Sequence, residues 1–196
     1  YFDGIYCDAT GVPRPAHGQF PELRDGMTYQ GGLAEHGIHM WDSAQGSNGH
    51  LIERNQVMDC ARGIGIGLVD VVYGSRVINN FISSTHAGSG EHDVGIIVER
   101  GVDTLVAHNS VVYHHADAYP NTIEYRWGET SNLRVHGNLT NGEIRDRDGA
   151  VADESDNVED VDPEVFAGQG DLHVSDCASL PSAALIGEVP DDFDGA

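Results

Sequence analysis

Apolar positions in this chain come in short bursts, and the bursts repeat. Ile52-Glu53-Arg54-Asn55-Gln56-Val57, Val77-Ile78-Asn79-Asn80-Phe81-Ile82, Val106-Ala107-His108-Asn109-Ser110-Val111 and Val135-His136-Gly137-Asn138-Leu139-Thr140 share one outline. In each, a branched residue is followed by two variable positions, an asparagine, one variable position and a second branched residue. The asparagines lie 25, 29 and 29 residues apart. A second row runs ahead of the first, with Ile38, Ile64, Ile96 and Ile123 separated by 26, 32 and 27 residues. Such intervals are too short for domains and mark repeat architectures, in which each unit buries its apolar face against the next. The runs are strand-length and no helical period separates them, so the predicted class is all-β, with successive short strands wound into coils.

These rows, with Asp3-Gly-Ile-Tyr-Cys-Asp-Ala-Thr-Gly11, Arg62-Gly-Ile-Gly-Ile-Gly67 and Pro120-Asn-Thr-Ile-Glu-Tyr-Arg126, resemble the right-handed parallel β-helix of pectate-lyase-like proteins, and within it secreted bacterial β-helix repeat proteins of uncharacterised activity. The resemblance implies a solenoid of about five coils over residues 1–150, with residues 12–34 as a lateral loop rich in proline and glycine. It implies that residues 151–196 form a degraded last coil and an irregular acidic tail of the same domain. It also implies a secreted or cell-surface protein, and an asparagine ladder in which Asn55, Asn80, Asn109 and Asn138 bond one another at a tight bend. Asparagine suits such a bend because it tolerates left-handed backbone angles and carries both donors and an acceptor.

Strand alternation then predicts what faces outward. With the isoleucine row inside, one outward row reads Tyr6, His39, Gly65, Ile97, Glu124 and the next reads Asp8, Trp41, Gly67, Glu99, Arg126. Gly65 and Gly67 would leave a floor, and Trp41, Tyr6 and Asp8 would stand beside it as substrate-binding groups, the indole stacking on a sugar ring. Glu99, Glu124, Arg126 and His39 are the candidate catalytic residues. Carboxylates on neighbouring coils can divide into acid and base for glycosidic hydrolysis. A lyase acting on uronates would instead need a base and a cation, for which Arg126 or His39 are the candidates. The plainer alternative is an ion pair between Glu99 and Arg126 along the sheet.

Composition narrows the partners. The chain has 196 residues, 32 acidic side chains against 10 arginines and no lysine, and a formal charge of −22. Such a surface repels phosphate backbones and anionic membranes, so nucleic acid is not expected, and with no run of 18 apolar residues neither is membrane insertion; the partner expected, from the outward groove and the resemblance, is a polysaccharide or glycan. The missing lysine departs from the Lys and Arg pair of alginate and chondroitin lyases of this shape, and the polygalacturonase set of Asn-Thr-Asp, Asp-Asp and Gly-His-Gly is absent. Calcium is a candidate cofactor, on the acidic outlines Asp146-Arg-Asp148-Gly149 and Asp192-Phe-Asp194-Gly195. No transition-metal spacing stands out, although His86, His92, His114 and His115 accumulate in loops. Cys7, Cys60 and Cys177 are an odd set without a CxxC, and Cys7 and Cys60 read as core thiols, with a disulfide between them as the alternative. The chain opens inside a strand-like pattern, as a mature or trimmed form would. The alternative to a glycan-binding or glycan-cleaving protein is a non-catalytic surface or structural module that stacks end to end or forms a homo-oligomer.

Overall fold

The computed structural model describes residues 2–3, 34–40, 47–85, 93–114, 121–175, 177, 180–184 and 186–194. Among these residues sixteen strands, β1 to β16 in chain order, fall into three parallel sheets. The first sheet holds β2 (Ala34–Met40), β6 (Cys60–Tyr73), β9 (Val94–Val102), β12 (Asn121–Arg126) and β15 (Glu143–Arg147), with β3 (Ser47–Asn48) added beside β6. The second holds β4 (Leu51–Glu53), β7 (Arg76–Ile78), β10 (Leu105–Ala107), β13 (Leu133–His136) and β16 (Ala152–Ser155). The third holds β1 (Phe2–Asp3), β5 (Gln56–Met58), β8 (Phe81–Ser84), β11 (Ser110–Tyr113) and β14 (Leu139–Thr140). From β4 to β14 the chain visits the sheets in cyclic order, a topology compatible with a parallel β-helix. The described residues contain no α-helix, and a short 3-10 turn spans Pro163–Val165.

The apolar rows explain the winding. Ile64, Ile96 and Ile123 pair in register across β6, β9 and β12, with Ile38 and Ile144 on either side. Ile66, Val98 and Tyr125 form a second inward row two residues further along the same strands, and Ile52, Val77, Val106 and Val135 line the second sheet. All belong to one core, in which Ile64, Ile66, Ile96, Val98, Val106 and Ile123 are fully shielded from water. Each repeat therefore completes a core that its neighbour begins. Cys60 is part of this core, and its Sγ bonds the Met58 carbonyl. Cys7 lies outside the described residues.

The bend from the second sheet to the third is made by two residues. The left-handed backbone belongs to the residue ahead of each asparagine: Arg54, Asn79, His108, Gly137 and Asp156, with φ between 53° and 62°. This corrects the expectation that the asparagine itself takes that conformation. Its role is to satisfy the bend. Asn80 Nδ2 donates to the carbonyls of Ile52 and Ile78 and to Asn109 Oδ1, while its own Oδ1 accepts from Asn55. The same side-chain bond links Asn55, Asn80, Asn109, Asn138 and Asn157 at 2.9–3.0 Å per step. Asn157 thus continues the row into the last repeat, where β16 pairs with β13 over four residues in register.

Two smaller cores lie outside the coil, and nothing in the periodic pattern announced them. Val161, Phe166 and Leu172, from the segment after β16, pack on the outward residues Phe81 and Val112. Phe193 stacks on Phe81 with ring centroids 3.9 Å apart. Val189 packs on Ile78, Leu105 and Ala107. The C-terminal residues thereby cover apolar positions on the outer faces of the second and third sheets. His173 sits against the same rings and contacts both Asp171 and Asp194, and its hydrogen bond to Asp171 raises its proton affinity.

Candidate functional site

The outer face of the first sheet is covered differently, by charged side chains. Register places Glu99 of β9 beside Arg126 of β12 and Gly67 of β6, and places Glu124 beside Ile97 and Arg145. Both carboxylates face away from the isoleucine core and are nonetheless 1% and 2% exposed. The guanidiniums of Arg62, Arg126 and Arg147 lie around them as a partly exposed roof. Arg126 touches both acids, 3.5 Å from Glu99 and 3.6 Å from Glu124, and is itself anchored to Asp148 at 2.9 Å. Its guanidinium also lies 4.9 Å from the Trp127 ring centroid, and Arg100 lies 4.7 Å from it.

The two acids differ in how well they are served. Glu124 accepts from Asn121 Nδ2 at 2.6 Å and from Arg147 at 3.0 and 3.1 Å. Glu99 Oε2 is buried without a hydrogen-bond partner, since Arg62 stands 3.7 Å away. Loss of hydration raises the proton affinity of Glu99; the arginines at 62 and 126 oppose the shift, while Glu124 and Asp93 add to it. The two carboxylates thus differ in hydrogen bonding, one held by two donor side chains and the other left with an unpartnered oxygen.

The glycine floor has a different use from the one expected. A Cβ on Gly65 would lie 2.8 Å from the His36 ring and 3.0 Å from the His39 ring, so the glycine makes room for those two imidazoles, which stack at 4.0 Å. Gly67, at φ +85°, lets the backbone of β6 approach β9: a Cβ there would sit 1.7 Å from the Glu99 carbonyl oxygen. His39 Nε2 meets the Gly67 carbonyl at 2.8 Å. Burial, together with His39 and Arg62, lowers the pKa of His36 to about 3, so it is neutral in ordinary buffers. Tyr6, Asp8 and Trp41 lie outside the described residues.

Strict alternation concealed Arg62. It shares parity with the inward Ile64 and Ile66, yet reaches Asp93 at 2.7 Å and Glu99 on the outer face. The alternation breaks at Gly63-Ile64, where both residues face inward: a Cβ on Gly63 would be 2.6 Å from Ile82. The recurrence of Gly before the inward isoleucine, at Gly37, Gly63 and Gly95, was the available signal. Asn121 and Arg147 were also missed, and Asp148, read as a candidate calcium ligand, binds Arg126. Asp192 accepts from the Asp194 backbone and Asp194 contacts His173. Among the described residues no group of three or more His, Cys, Asp or Glu side chains is arranged to hold a metal ion. Of the loop histidines only His114 is described.

Comparison with protein-family profiles, with curated proteins and with solved structures finds no match to this chain.

Proposed function

We propose that the chain is an extracellular right-handed parallel β-helix of the pectate-lyase-like kind, that the outer face of its first sheet binds polysaccharide, and that Glu99 and Glu124 form an acid and base pair there. The observation that carries this reading is the asymmetry of the two carboxylates: Glu99 is shielded, has an unpartnered oxygen and has raised proton affinity, while Glu124, on the next strand, is held by two donors. In hydrolysis Glu99 gives its proton to the departing glycosidic oxygen. Glu124 then activates the attacking water or attacks the anomeric carbon itself. Substrate reaches the acids once the arginine roof shifts, and Arg62 and Arg126 are long side chains already 22% and 21% exposed.

The last strands, β15 and β16, carry Glu143, Arg145, Asp146, Arg147, Asp153 and Glu154. A charged edge of this kind disfavours end-to-end stacking at that end, which weighs against the structural-module alternative. The test is a polysaccharide panel assayed for new reducing ends and for the ultraviolet absorbance of unsaturated uronates. New reducing ends are expected, falling about 100-fold or more in Glu99→Gln, the range of a lost general acid. Retained binding with silence in both assays would leave a non-catalytic binding surface, and no binding to any glycan would sink the proposal.

A further inference from the structure

Among the described residues Arg126 alone touches both Glu99 and Glu124, and neither acid fixes its position. Its distances to them, 3.5 and 3.6 Å, are longer than a hydrogen bond. Its Nε and Nη2 meet Asp148 Oδ2 at 2.9 Å, but that carboxylate is 43% exposed, so water and salt weaken its hold. A second hold comes from Trp127, whose ring centroid lies 4.9 Å from the guanidinium carbon.

Trp127 is firmly placed. Its N–H donates to the Arg147 carbonyl at 3.2 Å, its carbonyl accepts from the Thr130 N–H at 3.0 Å, and the Thr130 hydroxyl donates to the Arg126 carbonyl. A second guanidinium, that of Arg100, lies 4.7 Å from the ring, with its Nη1 bound to the carbonyls of Leu68 and Val69. The backbone at Trp127 is left-handed, φ 64°, a conformation that suits Gly74, Asp103, Asn132 and Asp148 at other bends. A bulky aromatic residue is strained there, so tryptophan fills the position against backbone preference. What it offers in return is a π face for cations.

We propose that Trp127 is a positioning residue of this site: by cation–π attraction its ring holds the Arg126 guanidinium over Glu99 and Glu124. Its bearing on catalysis rests on the acid and base reading above, whereas its hold on Arg126 rests on geometry alone. The consequence is electrostatic. A guanidinium kept beside Glu99 favours the carboxylate and opposes the effect of burial. Without the ring, Arg126 follows Asp148 toward solvent and Glu99 keeps its proton to higher pH. Asparagine separates this role from a structural one, since it suits the left-handed backbone better than tryptophan and has no ring.

The test reads Glu99 directly, from the pH dependence of its side-chain carboxyl carbon signal in NMR of the whole chain, identified by its absence from Glu99→Gln. In Arg126→Gln the midpoint is expected to move to higher pH, which sets the scale. Trp127→Asn is expected to move it the same way by a substantial part of that amount. Trp127→Phe, which restores a π face, is expected to return it most of the way to the parent. The comparison is repeated with Trp127→Leu, apolar and ringless, so that it does not depend on one variant folding. An unchanged midpoint in the ringless variants, or in Arg126→Gln itself, would overturn the inference. The readout needs no substrate, so the two claims fail separately. Shifted midpoints in a chain that cleaves no glycan would leave Trp127 as the holder of Arg126 and remove the acid and base reading, whereas cleavage with unshifted midpoints would do the reverse.

Discussion

Two groups of buried polar side chains run across this molecule from repeat to repeat, and they differ in how completely they are matched. In the asparagine row each amide gives and receives along the stack: Asn109 Nδ2 donates to Asn138 Oδ1 and the Val77 carbonyl, and its Oδ1 accepts from Asn80 twice. On the outer face of the first sheet the cluster around Glu99 is equally shielded and incompletely paired, with oxygens of Glu99 and Asn121 left over. Burial without a partner disfavours folding, so the matched group stabilises the stack, while the mismatched one carries a cost that the proposed ligand would relieve.

The largest effect that would test this contrast is on the row. Asn109→Ala removes a donor to Val77 and the acceptor of two Asn80 bonds inside the core, and is expected to cost about 3–5 kcal/mol by chemical denaturation. A loss below about 1 kcal/mol would mean that the row is not structural in this sense. Asn121→Ala removes one bond to Glu124 together with an oxygen that has no partner, so it is expected to cost only about 1–2 kcal/mol in the same measurement. A cost equal to that of Asn109→Ala would erase the distinction between the two groups.

The smallest effect is on the carboxyl itself. Glu99→Gln keeps shape and removes a buried charge, and is expected to leave neutral-pH stability within about 1 kcal/mol of the parent or slightly above it. Its pH dependence carries the sign. Because the folded value of Glu99 lies above the ordinary 4.5, its contribution is undiminished below 4.5. Stability then falls as pH rises through 4.5 toward the folded value, and the loss is complete above that value. Glu99→Gln lacks this decline, so the variant should gain on the parent from acid to neutral pH in denaturation curves at matched ionic strength. A parent that gains on the variant over that range would show Glu99 to be stabilised as an anion.

How far the sequence could be read depended on whether a residue obeyed the repeat. The inward rows of Ile38, Ile64, Ile96 and Ile123, and the side-by-side position of Glu99 and Arg126, follow from period and alternation alone. Arg62 did not follow, because one extra inward residue at Gly63-Ile64 shifts the parity. The C-terminal packing did not follow either. Phe166, Leu172, Val189 and Phe193 have no repeat spacing, and their partners Phe81, Leu105 and Val112 occupy outward positions that read locally as surface. The glycines at 65 and 67 were legible as places without side chains, while the close approach of His36 and of the Glu99 carbonyl that requires them was not.

By itself the sequence determined that short strands would pair with their equivalents one repeat away, because that register stacks the inward rows of branched residues on one another and brings the asparagines of successive repeats into line. Tertiary structure alone decided which outward residues would lose water: Phe81 and Val112 beneath the C-terminal segment, and Glu99 and Glu124 beneath arginines from other strands. Burial of an outward position depends on what arrives from distant parts of the chain, and the proton affinity of Glu99 depends on that burial.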